Sequence, residues 1–393
     1  MNDMTPSGSL PTTILALSLL TIGCDDTSGT SATGLRAVVE DSVGITIVEN
    51  ARPAADSRLP WELGAQPSLS IGSVDSGGAD ELYRVSDATR LGDGRIVIAN
   101  SGSTELRVFN ADGSHERTWG SRGEGPGEFS RDGPATVAPW PGDSIAASDA
   151  VRRPRLSIFD TNGNHGRDVA LNATPGRILD FLPDGRIVLQ GTLVFNRMAV
   201  FETRDLVRLE SEWSVLDVDG TLYTSLGRLP TGEAYFSELL GGDMPHPFER
   251  STAGTVWGNL VAVGISDSYE IKAFTADGSL VRIVRRDWDP RTPTQAEYDE
   301  RAPWGVPPVD AFPAFDEILA DRTGYLWVSE YRISGDEATV WTVFDPEGRV
   351  QGLVETPEGL DVFEIGADYV LGLAKDELGV EYVQLWSLSR GEG

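Results

Sequence analysis

Glu330, Tyr331 and Arg332 set a carboxylate, a phenol and a guanidinium side by side. A planar cation next to an aromatic ring suits an anionic or sugar ligand. His246 is held between Pro245 and Pro247, and Trp304 sits in the segment Pro303-Trp-Gly-Val-Pro-Pro308, where an indole could lid or plug an opening. Asp149, Asp267, Glu330 and Asp376 each follow an apolar run and could offer oxygens to a divalent cation such as calcium. A hard cation of that kind wants six or more oxygens, and these four acids form no compact cluster in sequence. No residue qualifies as a nucleophile: there is no Gly-x-Ser-x-Gly elbow and no histidine near a serine and an acid in a known order. Gly120 to Gly127 is glycine-rich but lacks the Lys-Ser/Thr pair of a nucleotide loop. The sequence therefore demands no cofactor.

The elements that must position these residues are short β-rich runs separated by Gly, Asp and Asn turns, with no long helical periodicity. Six runs align on the apolar positions Ile96, Ile145, Ile187, Val261, Leu326 and Val370. Their spacing is that of four-stranded blades, roughly 40–50 residues each, with insertions in two of them. A second turn follows at a regular offset, ending in Gly113, Gly163, Gly220, Gly278 and Gly348. Asx-Gly turns of this sort supply the positive φ of a tight hairpin. The pattern predicts an all-β chain, a six-bladed β-propeller of four-stranded antiparallel blades. The sixth unit ends after the strand around Tyr382–Trp386, which would leave an open edge. Residues near 68–72 are expected to supply the missing strand and lock the ring. Ile45–Val48 is a further strand candidate with no assigned place.

The formal net charge of −29 excludes a nucleic-acid binder, which needs a basic footprint. One cysteine and three histidines exclude a disulfide framework and thiolate- or histidine-rich metal sites. Ile14 to Ile22 is an apolar run too short to span a bilayer and of the length of a secretory h-region. Asp25 to Gly34 is a polar stretch unable to bury a core. The expected organisation is a signal peptide at 1–23, a flexible tether at 24–37 and the propeller at 38–393.

The run before Gly23 and Cys24 resembles the lipobox of bacterial lipoproteins, which implies acylation of Cys24 and a lipid anchor. Gly120-Ser-Arg-Gly-Glu-Gly-Pro-Gly-Glu-Phe129 resembles the glycine-rich signature of NHL-repeat propellers. With Asp321-Arg-Thr-Gly-Tyr-Leu-Trp-Val328 and Asp376-Glu-Leu-Gly-Val-Glu-Tyr382, the span from about 40 to 390 is similar to six-bladed β-propeller lipoproteins of bacteria. That resemblance implies fold and export, and no reaction.

The long connections, Pro230 to Thr252, Trp288 to Pro313 and Gly191 to Leu209, all fall on the propeller face where each second strand ends. Thr294-Gln-Ala-Glu297 is a capping box that should start a short helix to about Arg301. Insertions gathered on one face of a repeat scaffold mark a binding face. The expectation is an extracytoplasmic, membrane-tethered binding or interaction protein, without catalysis, for a small molecule, glycan or protein. The alternative is a metal-dependent hydrolase resembling six-bladed lactonases.

Overall fold

The structure, a computed structural model, describes residues 27–30, 36–74, 77–149, 155–171, 176–194, 205–239, 241–301, 306–333 and 338–391. These residues form six sheets and one short helix, Gln295–Arg301. Each sheet begins with an inner strand: Val85–Arg90, Pro134–Trp140, Gly176–Phe181, Thr252–Trp257, Phe315–Ala320 and Asp361–Ile365. Every inner strand touches the next, and the sixth touches the first, so the sheets close into a ring around an axial channel. The chain is an all-β propeller.

The six aligned apolar positions are structurally equivalent. Ile96 pairs with Arg90, Ile145 with Pro139, Ile187 with Phe181, Val261 with Val256, Leu326 with Ala320 and Val370 with Ile365. All six are buried, because second strands are covered on both faces by neighbouring sheets. This is why their runs are continuously apolar rather than alternating.

The hairpin glycines serve two purposes. Gly163 takes φ +82°, and a Cβ there would lie 2.1 Å from Nε1 of Trp119 in the preceding sheet. Gly113, Gly220 and Gly348 likewise approach the outer strand of the sheet before theirs, Leu69 of the sixth sheet in the case of Gly113. The turn chemistry that makes a tight hairpin thus also lets neighbouring sheets nest.

Closure follows the expected route and extends it. Leu69–Ile71 pairs with Glu381–Arg390 through Val383↔Ile71 and Leu385↔Leu69. Trp61–Leu63 then continues along the same strand, with Leu388↔Leu63 and Arg390↔Trp61. Arg390 is anchored in turn by Asp321 at 2.8 Å, in the first turn of the fifth sheet.

The N-terminal segment holds two findings. Ile45–Asn50 lies parallel to Leu280–Arg286 as an added strand of the fourth sheet, with Val48↔Val284 in register. Arg36–Ser42 and Thr27–Thr30 extend that sheet further, making seven strands. Arg36 and Ala37 are strand residues with Ala37 buried, and Thr27–Thr30 is paired strand, so pairing is already present N-terminal to residue 38. The physical reason is the hairpin turn at Val43-Gly44, which folds the preceding residues back onto a buried strand. The expected signal peptide, Cys24 and Trp304 lie outside the described residues.

From Asn50 the chain runs as a strap across the outer strand of the fifth sheet, Val350–Pro357, to reach the sixth. Leu59 N–H donates to Leu353 O and Leu353 N–H to Ser57 O, both at 2.9 Å. Asn50 pins the start of the strap: its buried amide donates to Arg285 O and Gly348 O and accepts from Val350 N–H.

Candidate functional site

The strap, the end of the fourth sheet and the end of the fifth enclose a cleft of about 580 Å³. Its floor is polar. Arg286, whose side chain is 1% exposed, donates to both oxygens of Glu330, at 2.5 and 3.0 Å, and to Thr342 Oγ1 at 2.7 Å. Tyr269 lies with its ring 3.6 Å from the Arg286 guanidinium and donates its hydroxyl to Glu330 at 3.3 Å. Burial pushes the Tyr269 phenol far up, so it stays a donor. Glu330 remains 23% exposed, so part of a carboxylate already balanced by Arg286 meets the cleft.

The walls are flat and apolar. Trp288, Phe312 and Tyr331 contribute rings, with Pro53, Pro290 and Pro313 between them. Phe312 and Tyr331 pack at 5.3 Å, and the Tyr331 hydroxyl accepts from Arg301 at 3.1 Å. Burial pushes the Tyr331 phenol up to about 12. Arg291 lies 4.6 Å over the Phe312 ring.

The long connections gather behind this wall. Phe248, Val309 and Phe312 form a small apolar cluster with Tyr298 and Tyr331 against it. The connection from Pro230 to Thr252 carries strand pairing: strand Leu222–Ser237 pairs with Gly242–Pro245. The capping box forms as expected, with Thr294 N–H donating to Glu297 at 2.8 Å and Glu297 N–H to Thr294 Oγ1 at 3.4 Å. His246 is 2% exposed; its Nδ1 accepts from Phe248 N–H and its Nε2–H donates to Pro307 O at 2.9 Å. It staples the two insertions together and has no surface to offer a ligand.

Of the residues the sequence singled out, Glu330 and Tyr331 meet in the cleft. Arg332 points its chemistry elsewhere: its N–H donates to Asp316 and its guanidinium stands 4.0 Å from Glu358. The acids considered for a cation are each engaged separately. Asp149 accepts from Ser130 N–H and Oγ, Asp267 pairs with Arg208 at 2.6 Å, and Asp376 caps its own turn through Leu378 and Val380 N–H. Among the described residues no group of three His, Cys, Asp or Glu side chains is placed to hold a metal ion.

Sequence reasoning missed Arg286, Trp288 and the strap residues Arg52 and Arg58. The strap has no counterpart in the repeat, so alignment of blades could not reveal it.

The axial channel, about 990 Å³, is lined by all six inner strands. Its carboxylates mostly tie neighbouring strands together. Asp87 accepts from Val137 N–H of the next sheet at 2.9 Å, Asp180 from Val256 N–H at 2.9 Å, and Glu364 from Thr89 Oγ1 at 2.6 Å. Burial pushes the Asp87 carboxyl up to about 7, against the pull of its N–H donors. Burial, with Asp361 and Asp316 nearby, takes Glu317 to about 7 as well.

No family model matches the chain, and no curated protein sequence does either. Solved structures similar to it include a candidate exported protein of Bacteroides fragilis NCTC 9343 (13% identity, 88% of this chain and 100% of that one, TM-score 0.49). A member of the DUF4221 family from Bacteroides vulgatus is similar at 10% identity over 84% of this chain and 99% of that one, TM-score 0.49. Virginiamycin B lyase from Staphylococcus aureus is similar at 11% identity over 84% and 99%, TM-score 0.40. These neighbours are bacterial and β-propeller-like. Function has to be argued from the site.

Proposed function

We propose that this chain is a ligand-binding propeller of the extracytoplasmic space, tethered to a membrane through an acylated Cys24. Its binding site is the cleft between the strap and the ends of the fourth and fifth sheets. One observation carries this reading: a concave site of about 580 Å³ brings three aromatic rings around a pre-set Arg286–Glu330 pair. That volume is in the range of small-molecule sites, and the mixture of apolar wall with few fixed polar groups is their usual make-up. The insertions stack behind the same wall, which holds it rigid before any ligand arrives. Export is supported by the short apolar run before Cys24, and no helix among the described residues is long and apolar enough to cross a membrane. The resemblance to NHL-type lipoproteins belongs to the same proposal.

No observation favours the hydrolase alternative. Asp87, Asp180 and Glu364 of the channel are used as clasps between strands, and among the described residues no three acids, the channel's Glu317 included, are placed to hold a metal ion.

The test is a thermal-shift screen of small molecules against the wild-type protein and Ala55→Trp. Ala55 is an exposed residue of the cleft wall, so a tryptophan there fills the opening without entering the core. A ligand present at one hundred times its Kd should stabilise the wild type by about 2.7 kcal/mol. The variant should fold with an unchanged melting temperature and lose the shift. Ligands that shift both proteins equally would place the site elsewhere. Mass spectrometry of the membrane fraction tests the anchor: Cys24 should carry acyl chains, and a free thiol there would remove the tether.

A further inference from the structure

We infer that the cleft takes a small ring-bearing carboxylate, held flat by its aromatic walls and charge-matched by Arg52; this rests on the cleft being the binding site. The charge distribution leads to it. The whole chain carries a net charge of −29, yet four arginines, Arg52, Arg58, Arg286 and Arg291, line this one opening against two acids, Asp289 and Glu330. Three of those arginines are already matched. Arg286 is paired with Glu330, Arg58 donates its Nε to Glu355 at 3.1 Å, and Arg291 donates to Glu297 at 2.6 Å. Arg52, exposed on the strap, has no acidic partner among the described residues. Asp289, exposed on the same opening, is likewise without a cation partner among the described residues, so Arg52 is a single available cation and not a surplus of charge. A guanidinium prefers a planar carboxylate that can accept two parallel hydrogen bonds.

The rest of the ligand follows from the walls. Trp288 and Tyr331, both partly exposed, present flat apolar area suited to the face of a six-membered ring, whether aromatic or a pyranose, with the buried Phe312 backing Tyr331. Glu330 has its charge balanced by Arg286, and its side chain is 23% exposed to the cleft. A simple acyclic acid would leave the aromatic walls wet, and a neutral ring would leave Arg52 unmatched. A ring with one carboxylate uses both. Sugar acids and aromatic acids share this chemistry, and the test separates them.

The experiment is calorimetric titration of the full-length protein, at low ionic strength, with glucuronate and benzoate against glucose, benzyl alcohol and acetate. At least one of the ring acids should bind at least tenfold more tightly than its neutral counterpart and than acetate. Binding by glucuronate alone selects the hydroxylated ring, and by benzoate alone the aromatic one; either supports the inference. Arg52→Gln should weaken the acid about tenfold, leave the neutral ring unchanged and keep the melting temperature of the wild type. Equal binding of acid and neutral ring, equal binding of acetate, no binding of either acid, or an acid indifferent to Arg52→Gln would each overturn it. The cleft reading fails separately: it falls only when ligands found by screening bind Ala55→Trp as well as wild type.

Discussion

Two buried titratable residues give opposite pH signatures. The Asp87 carboxyl sits at about 7 in the fold against an ordinary value of 3.8. A raised folded value means that the protonated form is favoured by folding, so its contribution is complete below about pH 4 and is lost as pH rises through about 7. Asp87→Asn keeps an oxygen for Val137 N–H and removes the titration. Chemical denaturation across pH 5 to 9 should show a shallower loss of stability in the variant than in the wild type; parallel curves would show that Asp87 ionises freely. His246 runs the other way. Burial lowers its pKa, so the unfolded chain takes up protons first and stability falls as pH drops through about 6.5. His246→Leu should cost about 1–3 kcal/mol at neutral pH, from the two hydrogen bonds lost, and should erase the acid-side slope. Melting curves at pH 5 and 8 read both effects. At this scale the sequence was partly legible. Glu330 and Tyr331 are adjacent, so their joint chemistry shows in the chain itself. Arg286 lies 44 positions from Glu330 and is read only once the fourth and fifth sheets are in contact.

Hairpins and strands are the elements in which the sequence speaks most clearly. Asp-Gly or Asn-Gly ends four of the five hairpins, and at Gly113, Gly163 and Gly220 a positive φ and a close approach are satisfied at once. Gly163→Ala tests that double demand: a Cβ at φ +82° against the Trp119 indole should cost about 1–3 kcal/mol from backbone strain, with the steric conflict added. Gly142→Ala, at φ +80° with nothing within 4 Å, isolates the backbone part. Gly163→Ala should lower the melting temperature distinctly more than Gly142→Ala, and equal losses would deny the nesting of sheets. What the sequence hid is the placement of Ile45–Asn50. Its alternation declares a strand, but its partner begins at Leu280, and a parallel pairing over such a separation leaves no local mark.

The whole molecule is a ring whose two ends meet. Its early residues add a strand to the fourth sheet, cross the fifth and complete the sixth, so one segment shapes the cleft and locks the circle. The half-finished last unit made this closure readable, since an open edge has to be covered. Pairings over such sequence distances form late, so folding should be slow, on the millisecond-to-second scale of high-contact-order β proteins. Ser70 and Gln384 face each other across the closing pair and neither is in the core. Partners in an antiparallel ladder lie close enough for a disulfide. In a Cys24→Ser background, Ser70→Cys with Gln384→Cys should oxidise to one intramolecular bond, found as a 70–384 cross-linked peptide and accompanied by a higher melting temperature. Two free thiols in folded, oxidised protein would contradict the closed ring and the cleft built on it.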